Sequence, residues 1–411
     1  MEDAFALRVL QLAAPDQIRA ELERVGADSS VATALDEQQA RAEFHIVKLE
    51  HASLALARLL YQELVMEGGQ VVTPPRLEHV GEGETAVLLC ATRYQFAHLL
   101  VRLRWQPSEE LQLLADELER ALERFVSPPP ALDLGGTRFA WGSRTHIMGI
   151  LNITPNSFSG DGLIQAGDTM EDTTARVLAR AHQLIEEGAD ILDIGGESTH
   201  PRAEPIDADT ELARVLPIVQ AMTKEFRVPL SIDTRKASVA HAALDAGASM
   251  INDVTGLRGA SDMARVIAEH HAAVVITHNG TPDAQDTLGA ILRDLRGQIQ
   301  LAQSAGIPAL HILIDPGLGF GKSPTQNLEI LNRLGELRVL GYPILIGPSR
   351  KGFISKTIDV PVEEREEGTA AAISVGILRG ANIVRVHDVK AMTRVARMTD
   401  AILHSQSNLK P

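Results

Sequence analysis

The feature that most limits the possible fold is a repeat of short apolar segments, each followed by an amphipathic stretch. The eight apolar segments are HIMGILNI, DILDIG, PLSIDT, SMINDV, AVVITH, HILIDP, PILIGP and NIVRVHD. Helical patterns lie between or after them at residues 171–187, 208–225, 236–247, 262–271, 287–304, 325–339, 364–379 and 389–404. This alternation is typical of a parallel sheet, and eight units in about 260 residues predict a (β/α)8 TIM barrel. An open doubly wound sheet is the alternative.

The chain is too long for the barrel alone, because its 411 residues exceed what one hydrophobic core usually fills. Three consecutive prolines in FVSPPPALDLGG follow a long charged helical pattern and indicate a boundary. We therefore expect a smaller α+β N-terminal domain at residues 1–126, whose role the sequence does not indicate. A proline-rich linker and barrel lead-in would occupy residues 127–143, and the barrel residues 144–408.

Composition excludes several classes of protein. The formal charge of −15 argues against nucleic-acid binding, which requires a basic surface. One cysteine, Cys90, excludes an intramolecular disulfide framework and fits a reducing compartment. The N-terminus lacks a basic segment followed by an apolar one, and no apolar run approaches the about 20 residues of a spanning helix. We expect a cytoplasmic protein that does not bind membranes.

Nearly every predicted strand ends in a hydrogen-bonding side chain. These residues are Asn152, Asp193, Asp233, Asn252, Asp253, His278, Asp315, Ser349, Arg350, Lys351, Arg385 and His387. An aspartate at a strand end is often only a helix cap or turn residue. As a set they would converge on the rim where barrel enzymes place their active sites.

The types of side chain suggest the ligand. Carboxylates and an amide at Asp233, Asn252 and Asp315 suit a flat heterocycle rich in ring NH and amino groups. The cations Lys351, Arg385 and His387, together with Thr199 and the backbone of glycine turns, could hold a phosphate or pyrophosphate.

Seven motifs carry a resemblance to a known family. They are MGILNITPNSFSGDG, DILDIGGESTHPRAE, SIDTRKA, INDVTG, IDPGLGFGK, GPSRKGF and RGANIVRVHDV, and they cover residues 147–389 in that order. In these motifs the barrel resembles dihydropteroate synthase, the folate-pathway enzyme that joins a pterin pyrophosphate to p-aminobenzoate. The N-terminal region also resembles an extension found on some members.

The resemblance implies a Mg²⁺-dependent condensation and a role for each matching residue. Asp233, Asn252, Asp315 and Lys351 would hold the pterin, with Arg385 stacking on its face. Asn152 would ligate Mg²⁺ and, with Thr199, Arg385 and His387, bind the pyrophosphate. Thr199, Pro201, Phe320 and Gly352 would contact the aminobenzoate. The catalytic residues would be Asn152, Lys351, Arg385 and His387. The helix GTAAAISVGIL could form a homodimer interface, as barrel outer helices do in the family.

Three segments depart from the family pattern. THPRA replaces TRPGA, so that Arg202 is the substitute for a guanidinium usually found at the position of His200. FSGDG replaces FSDGG, and ITHNG replaces MHMQG, which places Thr277 and Asn279 where methionines line the pterin pocket. Two alternatives stay open: a pterin-binding barrel without synthase activity, and a corrinoid-type methyltransferase, although the chain shows no DxHxxG corrinoid motif.

Two adjacent histidines lie outside these motifs. His270 and His271 follow a predicted helix, and we expect them to be cap and surface groups rather than metal ligands.

Overall fold

The computed structural model describes residue 10 and residues 15–27, 32–74, 83–155, 162–198 and 204–405. The described residues up to Val126 belong to one compact unit, and Ser127–Ser405 form the other. No helix among the described residues is long and apolar enough to cross a membrane.

The N-terminal unit combines five helices with a small antiparallel sheet. Its elements are α1 (Pro15–Arg24), α2 (Ala32–Ala42), β1 (Phe44–Ser53), α3 (Leu54–Met66), β2 (Gln70–Val72), β3 (Glu84–Thr92), α4 (Arg93–Trp105) and α5 (Glu109–Val126). The strand order is β1-β3-β2. Helix α4 begins where it does because Thr92 and Gln95 form a reciprocal capping box. Helices α3, α4 and α5 bury Leu60, Leu99 and Leu118 in one core with the sheet.

The second unit alternates strands and helices as the sequence predicts. Its barrel strands are β6 (His146–Asn152), β7 (Ile191–Gly195), β8 (Leu230–Asp233), β9 (Met250–Asp253), β10 (Ala273–Thr277), β11 (Ile312–Asp315), β12 (Leu345–Ile346) and β13 (Ile383–Val386). Its helices are α6 (Met170–Glu187), α7 (Ala208–Glu225), α8 (Ala237–Asp245), α9 (Met263–Glu269), α10 (Thr287–Ser304), α11 (Pro324–Asn332), α12 (Gly352–Ile358), α13 (Glu366–Leu378) and α14 (Val389–Leu403).

The eight strands close on themselves. Their order is β11-β10-β9-β8-β7-β6-β13-β12, and all neighbouring pairs are parallel. Ile314 pairs with Ile344 across the remaining gap, where its amide donates to the Pro343 carbonyl oxygen at 3.0 Å. The barrel prediction is confirmed, and the open-sheet alternative is wrong.

Two helix predictions differ from the structure. The predicted helix at 325–339 is divided at Asn332, and a 3-10 segment, Leu334–Leu340, follows. Helix α12 was not predicted, because its seven residues are too few to show a helical period. The other barrel helices agree with the sequence patterns to within about two residues at each end.

A β-hairpin fills the end of the barrel where the strands begin. The residues expected to be linker and lead-in contain β4 (Leu132–Leu134) and β5 (Thr137–Phe139), joined by two glycines with positive φ that suit a tight hairpin turn. Phe139 stacks on Trp141 with ring centres 5.6 Å apart and meets His146 edge-on at 4.9 Å. These aromatics join one apolar cluster with the first inward-facing residues of the strands, such as Met148.

Phe139→Ala should destabilise the second unit by about 3–5 kcal/mol, because the truncation leaves a cavity among side chains that cannot all collapse into it. Urea unfolding would measure the change. Arg138→Ala in the same hairpin is the matched control, since that side chain is 70% exposed and pairs with Asp133, which is also exposed. Equal losses of stability in the two variants would show that the hairpin does not close the barrel.

Candidate active site

A layer of polar side chains lies inside the barrel just above its apolar interior. Because successive residues of a strand face opposite sides, a residue two positions after an inward-facing one also faces inward. The relevant pairs are Ile191 and Asp193, Met250 and Asn252, Val275 and Thr277, Leu313 and Asp315, and Ile383 and Arg385. In each pair the first residue belongs to the apolar interior cluster, so the second belongs to the layer above it. Asp233 and Asn152 end β8 and β6 at the same level.

Arg385 joins three strands in this layer. Its Nε donates to Asp193 Oδ2 at 2.6 Å, and its Nη2 donates to Asp233 Oδ2 at 2.7 Å. Asn252 Nδ2 also donates to Asp193 Oδ2, at 3.2 Å. From the sequence, Asp193 was expected at the rim as one of the strand-end residues, but no ligand contact was assigned to it. The sequence feature that could have indicated a buried, ion-paired Asp193 is its position inside the otherwise apolar run DILDIG.

Several acceptors in the layer face the interior without a partner. Asp193 Oδ1, Asp233 Oδ1 and Thr277 Oγ1 are buried and have no hydrogen-bond partner within the described part of the chain. Burial raises the pKa of Asp233, although Arg385 opposes the rise and Asp193 adds to it. Burial also raises the pKa of Asp315, against the Gly317 amide that donates to it. A ligand that donates N–H hydrogen bonds to Asp233 and Asp315 would offset the free-energy cost of burying these two carboxylates in their charged form.

Lys351 and Phe320 stand beside Asp315. Lys351 Nζ lies 4.1 Å from the centre of the Phe320 ring, which is cation–π distance. Burial lowers the pKa of Lys351 to about 8, although Asp315 opposes the shift. At Gly319 a Cβ would come within 3.0 Å of Lys351 Cδ, and the φ of +83° also favours glycine. The GLGFG turn therefore lets the backbone approach the lysine closely.

A second lysine, Lys322, was quoted in the motif IDPGLGFGK but received no role. Its Nζ donates to the carbonyl oxygens of His278 at 3.1 Å and Phe320 at 2.9 Å. Burial lowers its pKa to about 7. Lys322 thus ties the turn after β11 to the end of β10 and fixes the position of the Phe320 backbone.

His387 is brought to the rim in a neutral form. Its Nδ1 lies 2.9 Å from Ser349 Oγ, and its backbone amide donates to the same oxygen at 3.3 Å. Burial, reinforced by the positive charges of Arg385, Arg350 and Lys351, lowers the pKa of His387 to about 3. The lowered pKa favours a neutral, hydrogen-bonding imidazole in the ligand-free protein rather than the cation expected from the sequence.

Arg350 holds the chain between β12 and α12 in a left-handed turn with φ of +57°. Its amide donates to Thr369 Oγ1 at 3.2 Å, and its carbonyl oxygen accepts from Arg365 Nη1 at 2.7 Å. Its guanidinium donates to both carboxylate oxygens of Asp388, at 3.1 and 2.6 Å. These contacts fix the direction of the next residue, Lys351, and place Gly352 at the first turn of α12.

Asn152 offers an oxygen that suits a magnesium ion. Asn152 lies opposite Gly195 of the neighbouring strand β7. A Cβ added to Gly195 would lie 3.8 Å from Asn152 Oδ1 and 3.9 Å from Asp233 Oδ2. The absent side chain keeps the space between these oxygens open. Mg²⁺ usually takes one or two protein oxygens and completes its shell with water and phosphate, so the residues present fit the ion.

The loop after β7 is anchored on both sides by Glu197. This carboxylate accepts from Arg235 at 2.8 Å, from Lys236 at 2.6 Å and from the Ile206 amide at 3.3 Å. Although burial opposes the shift, these cations lower the pKa of Glu197. Thr199 and Pro201, expected at the pyrophosphate and aminobenzoate, lie outside the described residues, as do His200 and Arg202.

Two strand-end residues do not join the site. Asp253 follows Asn252 and therefore faces the helices, where its carboxylate accepts from the amides of Thr255 and Leu257, each at 2.8 Å. His278 likewise faces outward, 3.3 Å from Asp294, and burial lowers its pKa to about 4. Both are structural groups.

Comparison with known proteins agrees with this geometry. The model of the pterin binding enzyme family matches residues 148–387. The dihydropteroate synthase of Bacillus subtilis is 46% identical over 262 residues, which are 64% of this chain and 90% of that protein.

Solved structures give the same result. A dihydropteroate synthase from Clostridium difficile, solved in the presence of pteroic acid, has a TM-score of 0.61 at 47% identity, covering 64% of this chain and 98% of that one. The Xanthomonas albilineans enzyme with 4-aminobenzoic acid has a TM-score of 0.61 at 38% identity, covering 67% of this chain and 98% of that one. The chain belongs to the pterin-binding enzyme family and, within it, to the dihydropteroate synthases.

Proposed function

We propose that the rim of the barrel condenses 6-hydroxymethyl-7,8-dihydropterin pyrophosphate with p-aminobenzoate, giving 7,8-dihydropteroate and pyrophosphate. The observation that carries the proposal is the interior layer in which Arg385 pairs with two buried carboxylates while their second oxygens have no partner among the described residues. Such a layer suits a flat, neutral ring with several N–H groups better than it suits an anion.

The pterin would lie against Asp233, Asn252 and Asp315, with the Arg385 guanidinium against its face. The ring N–H and amino groups would donate to the carboxylates, which supports retention of their negative charge when the ligand is bound. Thr277 adds a buried hydroxyl on the strand next to Asp315, where the two residues are Cα partners. This hydroxyl takes the place of a methionine in the resemblance and offers the pterin one more polar contact.

The pyrophosphate would lie above the pterin, toward Asn152, Arg385 and His387, with Thr199 closing from the loop after β7. Neutral His387 would donate a hydrogen bond rather than a charge. Asn152 would hold Mg²⁺ together with pyrophosphate oxygens, and the bound ion would neutralise charge on the leaving group.

The aminobenzoate would stack on Phe320, with Pro201 on the loop side. Its carboxylate would face the amides at the start of α12, near Gly352. Because Lys322 and Arg350 hold these two segments through backbone contacts, Phe320 and the start of α12 are fixed in position before the second substrate binds.

No protein nucleophile is needed for this reaction. The bond from the pterin methylene carbon to the pyrophosphate oxygen breaks, and its electron pair leaves on the oxygen. The lone pair of the arylamine nitrogen then forms the new bond to the methylene carbon, and the nitrogen releases a proton. Fixed cations near the leaving oxygen and fixed carboxylates around the electron-donating ring stabilise both developing charges.

Product formation by the full chain would test the proposal directly. The purified protein, with Mg²⁺ and both substrates, should release one dihydropteroate per pterin pyrophosphate consumed. Tight pterin binding without product would instead support a binding barrel that lacks synthase activity. Transfer of a methyl group from a reduced folate to a corrinoid would support the methyltransferase alternative.

Asp315→Asn should weaken binding of 6-hydroxymethyl-7,8-dihydropterin about 100-fold, because an amide would present a donor to the donors of the pterin and remove a charge-assisted hydrogen bond. Calorimetry would measure the affinity. Asp253→Asn is the matched control: it changes a buried strand-end carboxylate that bonds only backbone amides and a threonine hydroxyl. It should lower the free energy of unfolding and leave pterin affinity unchanged. Near-normal affinity in Asp315→Asn would refute this placement of the pterin.

The alkaline limb of the pH profile should depend on Lys351. Its folded-state pKa is lowered to about 8, so its positive charge is present below that pH and is lost as the pH rises through it. We expect kcat/KM for the pterin pyrophosphate, which reports the free enzyme, to fall by up to about tenfold per pH unit above pH 8. Lys351→Arg keeps its charge and should abolish this fall while lowering kcat/KM at neutral pH. If kcat/KM fell equally steeply in the unmodified chain and in Lys351→Arg, the titrating group would be a residue other than Lys351.

A homodimer formed through α13 and a cytoplasmic location stay proposals, as does a separate role for the N-terminal unit. Val375 and Leu378 on α13 are exposed, at 39% and 51%, which leaves apolar area for a second copy. Light scattering of the full chain would show whether the dimer forms at micromolar concentration.

A further inference from the structure

Two histidines and an aspartate meet on the outside of the barrel, away from the polar layer. His241 and Asp245 lie one turn apart in α8, and His270 directly follows α9. Because barrel helices end where the next strands begin, the three residues lie toward the end of the barrel opposite the active rim.

The distances between their polar atoms are short. His241 Nδ1 lies 3.0 Å from Asp245 Oδ2, and His270 Nε2 lies 3.0 Å from Asp245 Oδ1. One ligand atom from each residue lies within 4.8 Å of the other two. Tetrahedral coordination with bonds of about 2.0–2.1 Å places ligand atoms about 3.3 Å apart, so small side-chain adjustments suffice to surround one ion.

The second ring nitrogen of His270 is already used in the way that metal-binding histidines use it. Nδ1 lies 2.8 Å from the Val266 carbonyl oxygen, which can only accept, so this nitrogen carries a hydrogen. Nε2 lies 3.0 Å from Asp245 Oδ1, a carboxylate oxygen that also only accepts, so Nε2 donates in the metal-free protein. Loss of that hydrogen would free the Nε2 lone pair for a metal while Nδ1 keeps its bond to Val266. From the sequence, His270 was expected to be a cap or surface group rather than a metal ligand; its contact with Val266 is compatible with both roles. What the sequence did not indicate was that α8 brings His241 to the same place.

We propose that His241 Nδ1, His270 Nε2 and the Asp245 carboxylate form a site for a divalent transition metal of the Zn²⁺ type, with water completing the shell. Two imidazoles and one carboxylate favour zinc over magnesium, which distinguishes this site from the one at Asn152. The C-terminal ends of α8 and α9 carry partial negative charge, which also favours a cation. His241 and Asp245 are 52% and 60% exposed, so an ion reaches them from solvent.

Zn²⁺ titration of the full chain by calorimetry, with excess Mg²⁺ present, would test the site. We expect one Zn²⁺ per chain with a dissociation constant on the order of 1–10 µM. His241→Ala and His270→Ala should each weaken binding by at least about tenfold. His182→Ala is the matched control, because His182 pairs with Glu225 at the surface but belongs to no group of three ligand residues within the described part of the chain. No binding by the unmodified chain, or equal affinity in His270→Ala, would overturn the proposal.

Thermal unfolding supplies a second readout, since the ion would tie α8 to α9. At about 100 times the dissociation constant, Zn²⁺ should raise the Tm of the barrel transition by about 5 °C. Without Zn²⁺, His241→Ala should unfold at nearly the same temperature as the unmodified chain, because the side chain is exposed. With Zn²⁺ the rise should disappear in this variant, and an equal rise in both proteins would place the ion elsewhere.

Discussion

The buried contact between Arg385 and two carboxylates is the interaction on which the barrel's function depends. Three charged groups inside a parallel barrel would be costly if they were unpaired, because burial removes the water that stabilises them. Pairing reduces this cost, and it leaves one oxygen of Asp193 and one of Asp233 buried without a hydrogen-bond partner among the described residues. The same contact therefore compensates the charges and prepares acceptors for a ligand.

The two ends of the barrel differ in composition and in role. At the end where the strands begin, a hairpin and its aromatics complete an apolar core. At the other end, strands stop in polar residues that turns and short helices hold in place. The proposed zinc ligands lie with the first end, so a metal there would act on stability, whereas Mg²⁺ at Asn152 would act on the reaction.

Periodicity predicted the eight strands and most helices, because those elements are long and each has one apolar face. It also placed Asp233, Asn252, Asp315 and Arg385 at the rim, because each stands near the end of an apolar run. The same rule wrongly included Asp253 and His278, which face the helices. Periodicity could not predict pairing: Arg385 and Asp193 are 192 positions apart, and nothing local links them. The lowered pKa of His387 was equally unpredictable, because it depends on burial and on cations that include Arg350 and Lys351 from another segment. The hairpin was too short to be separated from a linker by pattern alone.

The left-handed turn at Arg350 has a consequence for how the site can change. A side chain other than glycine pays a conformational cost in that region, so the turn persists only while its neighbours hold it. Two of those neighbours, Arg365 and Thr369, lie beside α13 and within it, behind the substrate pocket. Substitutions there would reorient Lys351 without altering any group that meets a substrate. The barrel therefore has a route to altered substrate binding that inspection of the pocket lining alone would miss.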